Sequence, residues 1–233
     1  MPQHTYRTAL IVGAGSGLSA SIARAFARAG MTIALSARTT EDLQTLAEEI
    51  GAKVFPCDAT DRGQVKRLFA ALGESIGAPE AVVYNPSYRV RGPFVELDPD
   101  EVERSLAVSA FGGFLVAQEA VRFMLPRGYG AILFTGASAS VKGYAQSAPF
   151  AMGKFALRGL AQSMARELAP RGIHVAHFVI DGGIRSARRM ESEGSPDSLL
   201  DPDAIAASYL HVLQQPRSAW TWELELRPWI EKF

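Results

Sequence analysis

The sequence predicts an α/β fold of the doubly wound type, in which a parallel sheet of seven strands carries helices on both faces. Short apolar, β-branched runs alternate along the chain with longer stretches of helical period. The runs are apolar on both faces rather than alternating, which is typical of strands that helices cover on both sides. Since strand and helix alternate, right-handed crossovers are expected. Six runs are residues 8–12, 32–35, 53–55, 81–84, 131–134 and 174–180.

The helices between these strands have recognisable first residues. The first helix is predicted over 22–29, after a glycine-rich turn. Asp61, with Gln64 three residues later, predicts a capping box, and Asp98 and Asp201 each precede a proline. A side-chain carboxylate accepts hydrogen bonds from free amides at a helix start, and proline suits the first helical position because it has no amide hydrogen.

The remaining segments complete the predicted order. The helical stretch 99–125 is long and is interrupted by Gly112 and Gly113. Residues 183–200 have weak periodicity, which is typical of a lid or a surface loop. Polar and apolar residues alternate over 219–226, which predicts a seventh strand at the sheet edge. We expect the whole chain of 233 residues to form one domain.

The composition argues against several classes of function. Lys and Arg total 24, as do Asp and Glu, so no net basic field favours nucleic acid or a membrane surface. Cys57 is the single cysteine, so no internal disulfide can form. The first residues lack a secretion signal, and no apolar run approaches the ~20 residues of a membrane span. We expect a cytoplasmic protein without nucleic-acid or membrane partners.

The histidines do not suggest a metal site. His174 and His177 are three residues apart on a predicted strand, so their side chains point to opposite faces of the sheet. We therefore expect two core histidines and no bound metal.

A glycine-rich turn joins the first strand to the first helix. It contains Gly13, Gly15, Ser16, Gly17 and Leu18. A strand, a glycine turn and a helix start together present backbone amides and the positive end of the helix dipole to a pyrophosphate. This context predicts dinucleotide binding, and a tight turn without a ligand is the alternative.

This turn resembles the T-G-x-x-x-G-x-G pattern of the short-chain dehydrogenase/reductase family. Gly13 and Gly17 match the pattern, whereas Val12 replaces its threonine and Ser19 its last glycine. The resemblance covers nearly the whole chain. It implies a Rossmann-type sheet and an oxidoreductase that interconverts a carbonyl and an alcohol on a small-molecule substrate of unknown identity.

The residues after the second strand favour NADP(H) over NAD(H). An acidic residue there would bind a ribose 2′-hydroxyl, but this chain has Ser36, Ala37 and Arg38. The Arg38 guanidinium suits a 2′-phosphate, and Ser36 and Thr39 offer hydroxyl groups. A solvated loop cation is the alternative for Arg38.

The resemblance implies further cofactor contacts. Asp58 and Ala59 lie in a segment similar to the family's adenine-contacting segment, where Asp58 would accept a hydrogen bond from the adenine amino group. Asn85 is the residue retained from the family's N-N-A-G segment. Gly182 matches the glycine after the sixth strand, and Ile184 lies where a backbone amide meets the nicotinamide carboxamide.

In the resembled family an Asn-Ser-Tyr-Lys tetrad performs the chemistry, and this chain keeps only the lysine. Lys154 matches the lysine, and Phe150 occupies the tyrosine position one helical turn earlier. The asparagine position falls on Ser109, and the serine position on Ala137, with Ser138 as the nearest hydroxyl. A phenyl ring has no proton to transfer, so the family's general acid is missing.

Other residues could replace that acid. Tyr144, in the loop before the catalytic helix, and Tyr88, in the loop after the fourth strand, are both expected near the carboxyl ends of strands. Loop packing is the alternative role for each. Arg89 and Arg91 share the second loop and would attract an anionic substrate, unless they are solvated surface.

The sequence leaves two functions open. The first is an NADP-dependent oxidoreductase in which Lys154 fixes the ribose and Ser138, Tyr144 or an ordered water supplies the proton. The second is a protein that binds NADP without turnover, as a structural or regulatory ligand. The enzyme is favoured because the rest of the expected pocket is intact.

Apolar residues beyond one core-facing stripe predict a homodimer or a homotetramer, because surplus apolar surface on outer helices usually marks an interface. They are Phe111, Phe114, Phe155 and Leu157. In the resembled family the two helices that hold them pair across a two-fold axis. Trp229 and Phe233 add an apolar C-terminus that could pack on the same partner.

Overall fold

The structure is a computed structural model that describes residues 5–192 and 194–231. In these ranges seven strands form one parallel sheet in the order β3-β2-β1-β4-β5-β6-β7, which confirms the predicted fold class. The first six strands differ from the predicted runs by no more than two residues at either end, whereas the seventh was predicted from residue 219 and begins four residues later. The strands are β1 (Thr8–Val12), β2 (Thr32–Ala37), β3 (Lys53–Pro56), β4 (Ala81–Tyr84), β5 (Gly130–Thr135), β6 (Ile173–Ile180) and β7 (Glu223–Leu226).

The strand order reverses at β1. This strand pairs with β2 on one side and with β4 on the other, so that Val12 lies beside both Ser36 and Tyr84. The connections from β1 to β3 run to one side of β1, and those from β4 to β7 run to the other side. A crevice therefore opens outside the carboxyl ends of the strands, where the two sets of connections diverge. Gly13 and Asn85 follow β1 and β4 directly, and the sheet therefore brings them to this crevice.

The helices begin largely where their caps predict. The side chains of Asp61, Asp98 and Asp201 each accept a hydrogen bond from an amide in the first turn. The first helix was predicted too short, because its first turn, Leu18 to Ser21, consists mainly of small residues that show no clear period. The helices are α1 (Leu18–Arg28), α2 (Gln44–Ile50), α3 (Arg62–Ser75), α4 (Pro99–Leu106), α5 (Gly112–Met124), α6 (Ala148–Leu168) and α7 (Pro202–Leu213).

Alternate residues of the central strands face two separate cores. On β1, Ala9 and Ile11 belong to the core beneath α1, α2 and α7, whereas Leu10 and Val12 belong to the core beneath α3, α5 and α6. Burial is worth about 0.8 kcal/mol per methylene, so both faces stabilise the sheet. This two-sided burial is the reason that the central strands carry apolar residues on both faces.

A π-helical turn at Ala107–Phe111 separates α4 from α5, where the sequence predicts only an interrupted helix. The buried Tyr84 hydroxyl donates a 2.6 Å hydrogen bond to the Val108 carbonyl oxygen. A Cβ atom on Gly112 would lie 2.5 Å from the same hydroxyl, so glycine is needed at this approach. The turn and the glycine both follow from the contact of this helix with Tyr84.

The helical region Pro99–Arg127 is long and apolar enough to cross a membrane by length and composition alone, which the sequence analysis did not expect. Gly112 and Gly113 interrupt the helical pattern of this region, so the sequence did not indicate one long apolar helix. In the structure 44% of its apolar window is buried, and Val116, Ala117 and Ala120 pack in the core on the sheet. Buried core helices of soluble proteins meet the same criterion.

The outer faces of α5 and α6 expose aromatic side chains. Phe111, Phe114 and Phe155 are between 38% and 45% exposed. The inclusion of Leu157 among the surface residues was wrong, because it points from α6 into the core on the sheet and has no exposed area. Trp229 is exposed, while Phe233 lies outside the described residues.

The predicted lid at 183–200 follows β6 and contains Glu193, which lies outside the described residues. Its two ends are joined, because Ile184 pairs with Leu200 in an isolated parallel bridge. Ser186 and Arg189 form a second, antiparallel bridge inside the segment. The segment is therefore held at its base, beside the carboxyl end of β6.

Candidate active site

The glycine loop forms the floor of the crevice. Gly13 has a φ of 76°, and a Cβ atom there would lie 2.7 Å from the Pro86 nitrogen, so only glycine fits. The amides of Gly13 and Ala14 donate to the Ser36 carbonyl oxygen. Among the described residues the amides of residues 15–18 donate to no partner, and they lie at the start of α1. They are thus available to an anionic ligand such as a pyrophosphate.

Ser19, which replaces a family glycine, has a structural role that the sequence did not reveal. Its hydroxyl donates to the Gly13 carbonyl oxygen at 3.0 Å and accepts a 2.7 Å hydrogen bond from the Asn85 side-chain amide. These two bonds tie the loop after β4 to the glycine loop. Asn85 therefore braces the crevice, in addition to lining it.

A cavity of about 480 Å³ extends from the glycine loop across the ends of β2 and β3. Arg38, Thr39, Asp58 and Ala59 line it, as the sequence predicts for cofactor-binding residues. Asp42 lines the cavity too and offers a negative charge near Arg38 that the sequence analysis did not consider. Any affinity of the cavity for a 2′-phosphate therefore depends on the attraction by Arg38 and the repulsion by Asp42.

Two predicted cofactor contacts are constrained by their surroundings. The Ser36 hydroxyl is fully buried, has no hydrogen-bond partner among the described residues and does not line the cavity, so the suggestion that it offers a hydroxyl to phosphate was wrong. One Asp58 carboxylate oxygen accepts hydrogen bonds from the Thr60 amide and hydroxyl at 2.9 and 2.8 Å. The other oxygen of Asp58 remains available for an adenine amino group.

Lys154 lies on α6 with its amine at the end of β5. The side chain is 2% exposed, and its Nζ donates a 2.8 Å hydrogen bond to the Thr135 carbonyl oxygen. Burial lowers the pKa of Lys154 to about 8. The amine is therefore mostly protonated at neutral pH, and its pKa is close enough to neutrality for it to release and regain a proton.

Phe150 lies one turn before Lys154 on the same helix, as its spacing predicts. The Lys154 Nζ is 5.9 Å from the centre of its ring, and the Arg89 guanidinium carbon is 4.9 Å from the same point. Two cations therefore contact one aromatic ring, an arrangement that its quadrupole stabilises. The approach of Arg89 depends on the loop after β4, and no local pattern in the sequence indicates it.

Ser109 lies in the π-helical turn and faces α6. Its hydroxyl is fully buried and has no hydrogen-bond partner among the described residues. A Cβ atom on Gly153 would lie 2.7 Å from the Ser109 Cβ atom, so glycine at 153 permits this contact. The turn thus brings Ser109 next to the residue that precedes Lys154.

The loop after β5 contains the residues expected at the serine position. Ala137 and Ser138 are half-buried there, and Ser138 opens a single turn of 3₁₀ helix. The buried hydroxyl belongs to Ser140, which accepts a 3.1 Å hydrogen bond from the Ala137 amide. No sequence motif distinguishes Ser140 from the neighbouring serines, so its role was not predicted.

The two candidate replacement tyrosines differ in their surroundings. Tyr88 donates a 2.6 Å hydrogen bond to a carboxylate oxygen of Glu101, and Arg104 stacks on its ring. Its proton is therefore engaged away from Lys154. Tyr144 is exposed at the mouth of the site, where its hydroxyl contacts Lys142.

The segment after β6 completes the carboxyl edge of the site. Gly182 has a φ of 150°, and a Cβ atom there would lie 2.7 Å from Pro228, so a side chain is excluded. The adjoining bridge uses the Arg185 amide and the Gly183 carbonyl oxygen. It leaves the Ile184 amide without a partner among the described residues, as a contact to a carboxamide requires.

The histidines occupy the core as predicted. His174 contacts the Thr221 carbonyl oxygen at 2.8 Å and stacks on Trp220, and His177 contacts Glu223 at 3.1 Å. Burial lowers the pKa of His177 to about 4 even though Glu223 opposes that shift. Within residues 5–192 and 194–231, no group of three or more His, Cys, Asp or Glu side chains is arranged to hold a metal ion.

The fold and the site define a dinucleotide-binding α/β protein with a lysine at the end of its fifth strand. The sequence profile of short chain dehydrogenases matches residues 7–195. The chain belongs to the short-chain dehydrogenase family, whose class of chemistry is oxidoreduction.

Two curated relatives match nearly all of this chain. Glycine betaine reductase ATRR of Emericella nidulans is 29% identical over 236 residues, which cover 95% of this chain and 19% of that protein. An uncharacterized oxidoreductase of Staphylococcus aureus is 26% identical over 227 residues, which cover 96% of this chain and 98% of that protein. The chain thus spans about a fifth of the first relative and almost all of the second.

Two solved structures resemble this one along their whole length. A short-chain dehydrogenase from Rhodopseudomonas palustris has 36% identity and a TM-score of 0.82, with 96% of this chain and 99% of that chain covered. An alcohol dehydrogenase from Thermococcus sibiricus, solved with 5-hydroxy-NADP, has 24% identity and a TM-score of 0.85, with 97% and 98% covered.

Proposed function

We propose that this protein is an NADP(H)-dependent oxidoreductase that interconverts a carbonyl and an alcohol on a small-molecule substrate. The observation that carries the proposal is the buried Lys154 amine at the carboxyl end of β5, on the same edge of the sheet as a glycine loop with free amides. A charged amine is costly to bury unless it has a function or a partner, and its protein partner here is one carbonyl oxygen.

The crevice residues fit a nicotinamide dinucleotide. The free amides of residues 15–18 would hold the pyrophosphate, Asp58 and Ala59 the adenine, and the Ile184 amide the carboxamide. Arg38 supports the choice of NADP(H), as does the Thermococcus sibiricus structure, which contains an NADP derivative. When bound, the nicotinamide would supply or accept a hydride.

The proton for carbonyl reduction has to come from a group other than Phe150. In this proposal Lys154 holds the ribose and keeps a positive charge beside the reacting oxygen. Its pKa of about 8 lets it give up a proton and regain one near neutral pH. Ser138, Tyr144 or an ordered water passes the proton to that oxygen. Tyr88 is the weaker choice because Glu101 already accepts its proton.

The alternative, a protein that binds NADP(H) without turnover, has less support. Both curated relatives carry the names of reductases or oxidoreductases. The pKa of Lys154, at about 8, also suits proton exchange near neutral pH, which a ligand bound without turnover would not need.

The experiment is a titration of NADPH and NADH by tryptophan fluorescence, followed by NADPH oxidation across a broad panel of aldehydes and ketones. Lys154→Met should lower turnover at least tenfold while the protein stays folded. Lys66→Met, on the exposed side of α3, is the matched control and should change neither binding nor turnover. Tight NADPH binding with no turnover of any carbonyl would favour the alternative.

We also propose a homodimer or homotetramer in the cytoplasm, assembled through the outer faces of α5 and α6. Phe114 and Phe155 on those faces are the exposed aromatic residues that support this assembly.

A further inference from the structure

Three arginines, from two different loops, meet at the mouth of the candidate active site. We call Arg89, Arg91 and Arg189 the arginine cluster. Arg89 and Arg91 lie in the loop between β4 and α4, and Arg189 lies in the segment after β6. The positive charges of Arg91 and Arg189 both act on Arg89, whose guanidinium carbon lies 4.9 Å from the centre of the Phe150 ring.

Contacts in the structure connect this cluster to Phe150 and Lys154. The Arg89 guanidinium carbon is 4.9 Å from the centre of the Phe150 ring, which also contacts the amine of Lys154. The Gly92 amide donates a 3.1 Å hydrogen bond to the Gln146 carbonyl oxygen and so joins the arginine loop to the loop before α6. The Phe150 ring therefore contacts both the Arg89 guanidinium and the Lys154 amine.

Arg189 belongs to the segment after β6 and not to the loop that holds Arg89 and Arg91. A Cβ atom on Gly183 would lie 2.9 Å from the Arg189 Nη1 atom, so the guanidinium lies directly on this glycine. Two backbone hydrogen bonds between Ser186 and Arg189 close the turn that holds it there. Glycine at 183 thus leaves room for a cation where any larger residue would displace it.

Two other cations at this edge of the sheet are neutralised by carboxylates. Lys142 pairs with Asp181 at 3.2 Å, and Arg185 pairs with Asp201 at 2.6 Å. Across the part of the chain that the structure describes, no such ion pair involves a member of the arginine cluster. Among the described residues, therefore, no carboxylate lies within ion-pair distance of these three positive charges.

This arrangement has an electrostatic cost that a ligand would remove. Partial burial and then the charges of Arg91 and Arg189 lower the pKa of Arg89. Like charges held together destabilise each other, and an anion between them reverses the sign of the interaction. Guanidinium groups also match carboxylate and phosphate oxygens with paired hydrogen bonds.

We propose that the arginine cluster is a binding site for the anionic group of the substrate, so that the enzyme acts on carbonyl or alcohol compounds that bear a carboxylate or a phosphate. Arg89 is the central residue, since it joins the cluster to the Phe150 ring. The substrate class rests on the proposed oxidoreductase function, whereas the anion site itself does not.

The first test measures binding without turnover. Calorimetric titrations with inorganic phosphate and with 2-oxobutanoate use the Arg38→Gln protein, which lacks the arginine of the cofactor cavity. Any phosphate bound at the glycine-loop amides contributes equally to every variant compared. Adding Arg89→Gln should weaken the affinity for at least one of the two anions about tenfold or more, because charge-assisted hydrogen bonds are lost. Adding Arg171→Gln instead, an equal charge change on an exposed residue at the opposite edge of the sheet, should leave both affinities unchanged.

The second test measures specificity in wild-type protein with NADPH. Two matched pairs are compared: 2-oxobutanoate with its methyl ester, and dihydroxyacetone phosphate with dihydroxyacetone. The charged member of at least one pair should have the higher kcat/KM, and Arg89→Gln should reduce that ratio about tenfold, mainly through KM. The pair that responds tells whether the site takes carboxylate or phosphate.

The outcomes separate the two proposals. Unchanged affinity for both anions on Arg89→Gln, or no measurable anion binding in the Arg38→Gln protein, overturns the anion site whether or not the enzyme turns over. Arg89-dependent anion binding without any carbonyl turnover supports the anion site and rejects the oxidoreductase proposal. Turnover that ignores the charge of the substrate overturns the substrate class.

Discussion

Restoring a phenol at position 150 is the sharpest test of the proposed chemistry. Phe150 lies one helical turn before Lys154, and its ring is in contact with two cations, Lys154 Nζ at 5.9 Å and Arg89 at 4.9 Å. The substitution Phe150→Tyr adds one hydroxyl group to a ring that is already held in place. The nearby positive charges favour the phenolate and should lower the pKa of the new phenol below its ordinary value of about 10.

The expected gain follows from the general size of acid catalysis. A positioned proton donor contributes ~10²–10⁴-fold, but Ser109 and Ala137 still replace two members of the family tetrad. We therefore expect a rise of ~10-fold or more in kcat for reduction of a simple aldehyde or ketone, which corresponds to about 1.4 kcal/mol in the barrier. Reduction should slow as pH rises through the lowered phenol pKa, because the donor then loses its proton.

The assay is NADPH oxidation followed by absorbance over a range of pH, with NADPH affinity measured in parallel. Phe155→Tyr is the matched control, because it makes the same chemical change on the exposed side of the same helix. Phe155→Tyr should show neither a rise in kcat nor a new pH dependence of kcat. Replacing Tyr144 with Phe in the wild-type background tests whether that residue already acts as a substitute donor.

One result would refute the reasoning. If Phe150→Tyr binds NADPH as wild type does and yet shows no gain on any carbonyl, the missing proton is not what limits the site. The protein that binds NADP(H) without turnover would then be the better interpretation.

Three further predictions concern the cofactor, stability and assembly. Arg38→Ala should cost ~1.5–3 kcal/mol of NADPH affinity and leave NADH affinity nearly unchanged, and an unaltered affinity ratio in fluorescence titrations would show that Arg38 does not contact the 2′-phosphate. The pKa of His177 is about 4 in the folded protein and 6.5 in the unfolded chain. Between these pH values the unfolded chain binds a proton that the folded protein does not bind, so the free energy of unfolding should fall as the pH drops from 6.5 to 4. Denaturant titrations should show a loss of up to ~3 kcal/mol in wild type and a flatter pH dependence in His177→Gln. Wild-type protein should be a dimer or tetramer by light scattering and Phe114→Glu smaller, whereas a monomeric wild type at micromolar concentration contradicts the proposed interface.

Local sequence alone determined the strands, the glycine loop and the spacing of Phe150 and Lys154. Strands buried on both faces are mainly apolar on both faces, and a tight approach such as that of Gly13 to Pro86 admits only glycine. Residues one helical turn apart lie on one face of any helix, so the substitution of the tyrosine position could be read without a structure. These features depend on neighbours in the chain, whose geometry the backbone dictates.

Contacts between distant residues were decided only by the tertiary structure. Ser19 replaces an expected glycine because its hydroxyl binds Asn85, 66 residues away. Leu157 has the same apolar character as Phe155 two residues earlier, yet the rotation of α6 buries the first and exposes the second. Arg89 joins Phe150 because the sheet brings the ends of β4 and β5 together, and a guanidinium in a loop has no local signature that distinguishes a ligand site from solvated surface.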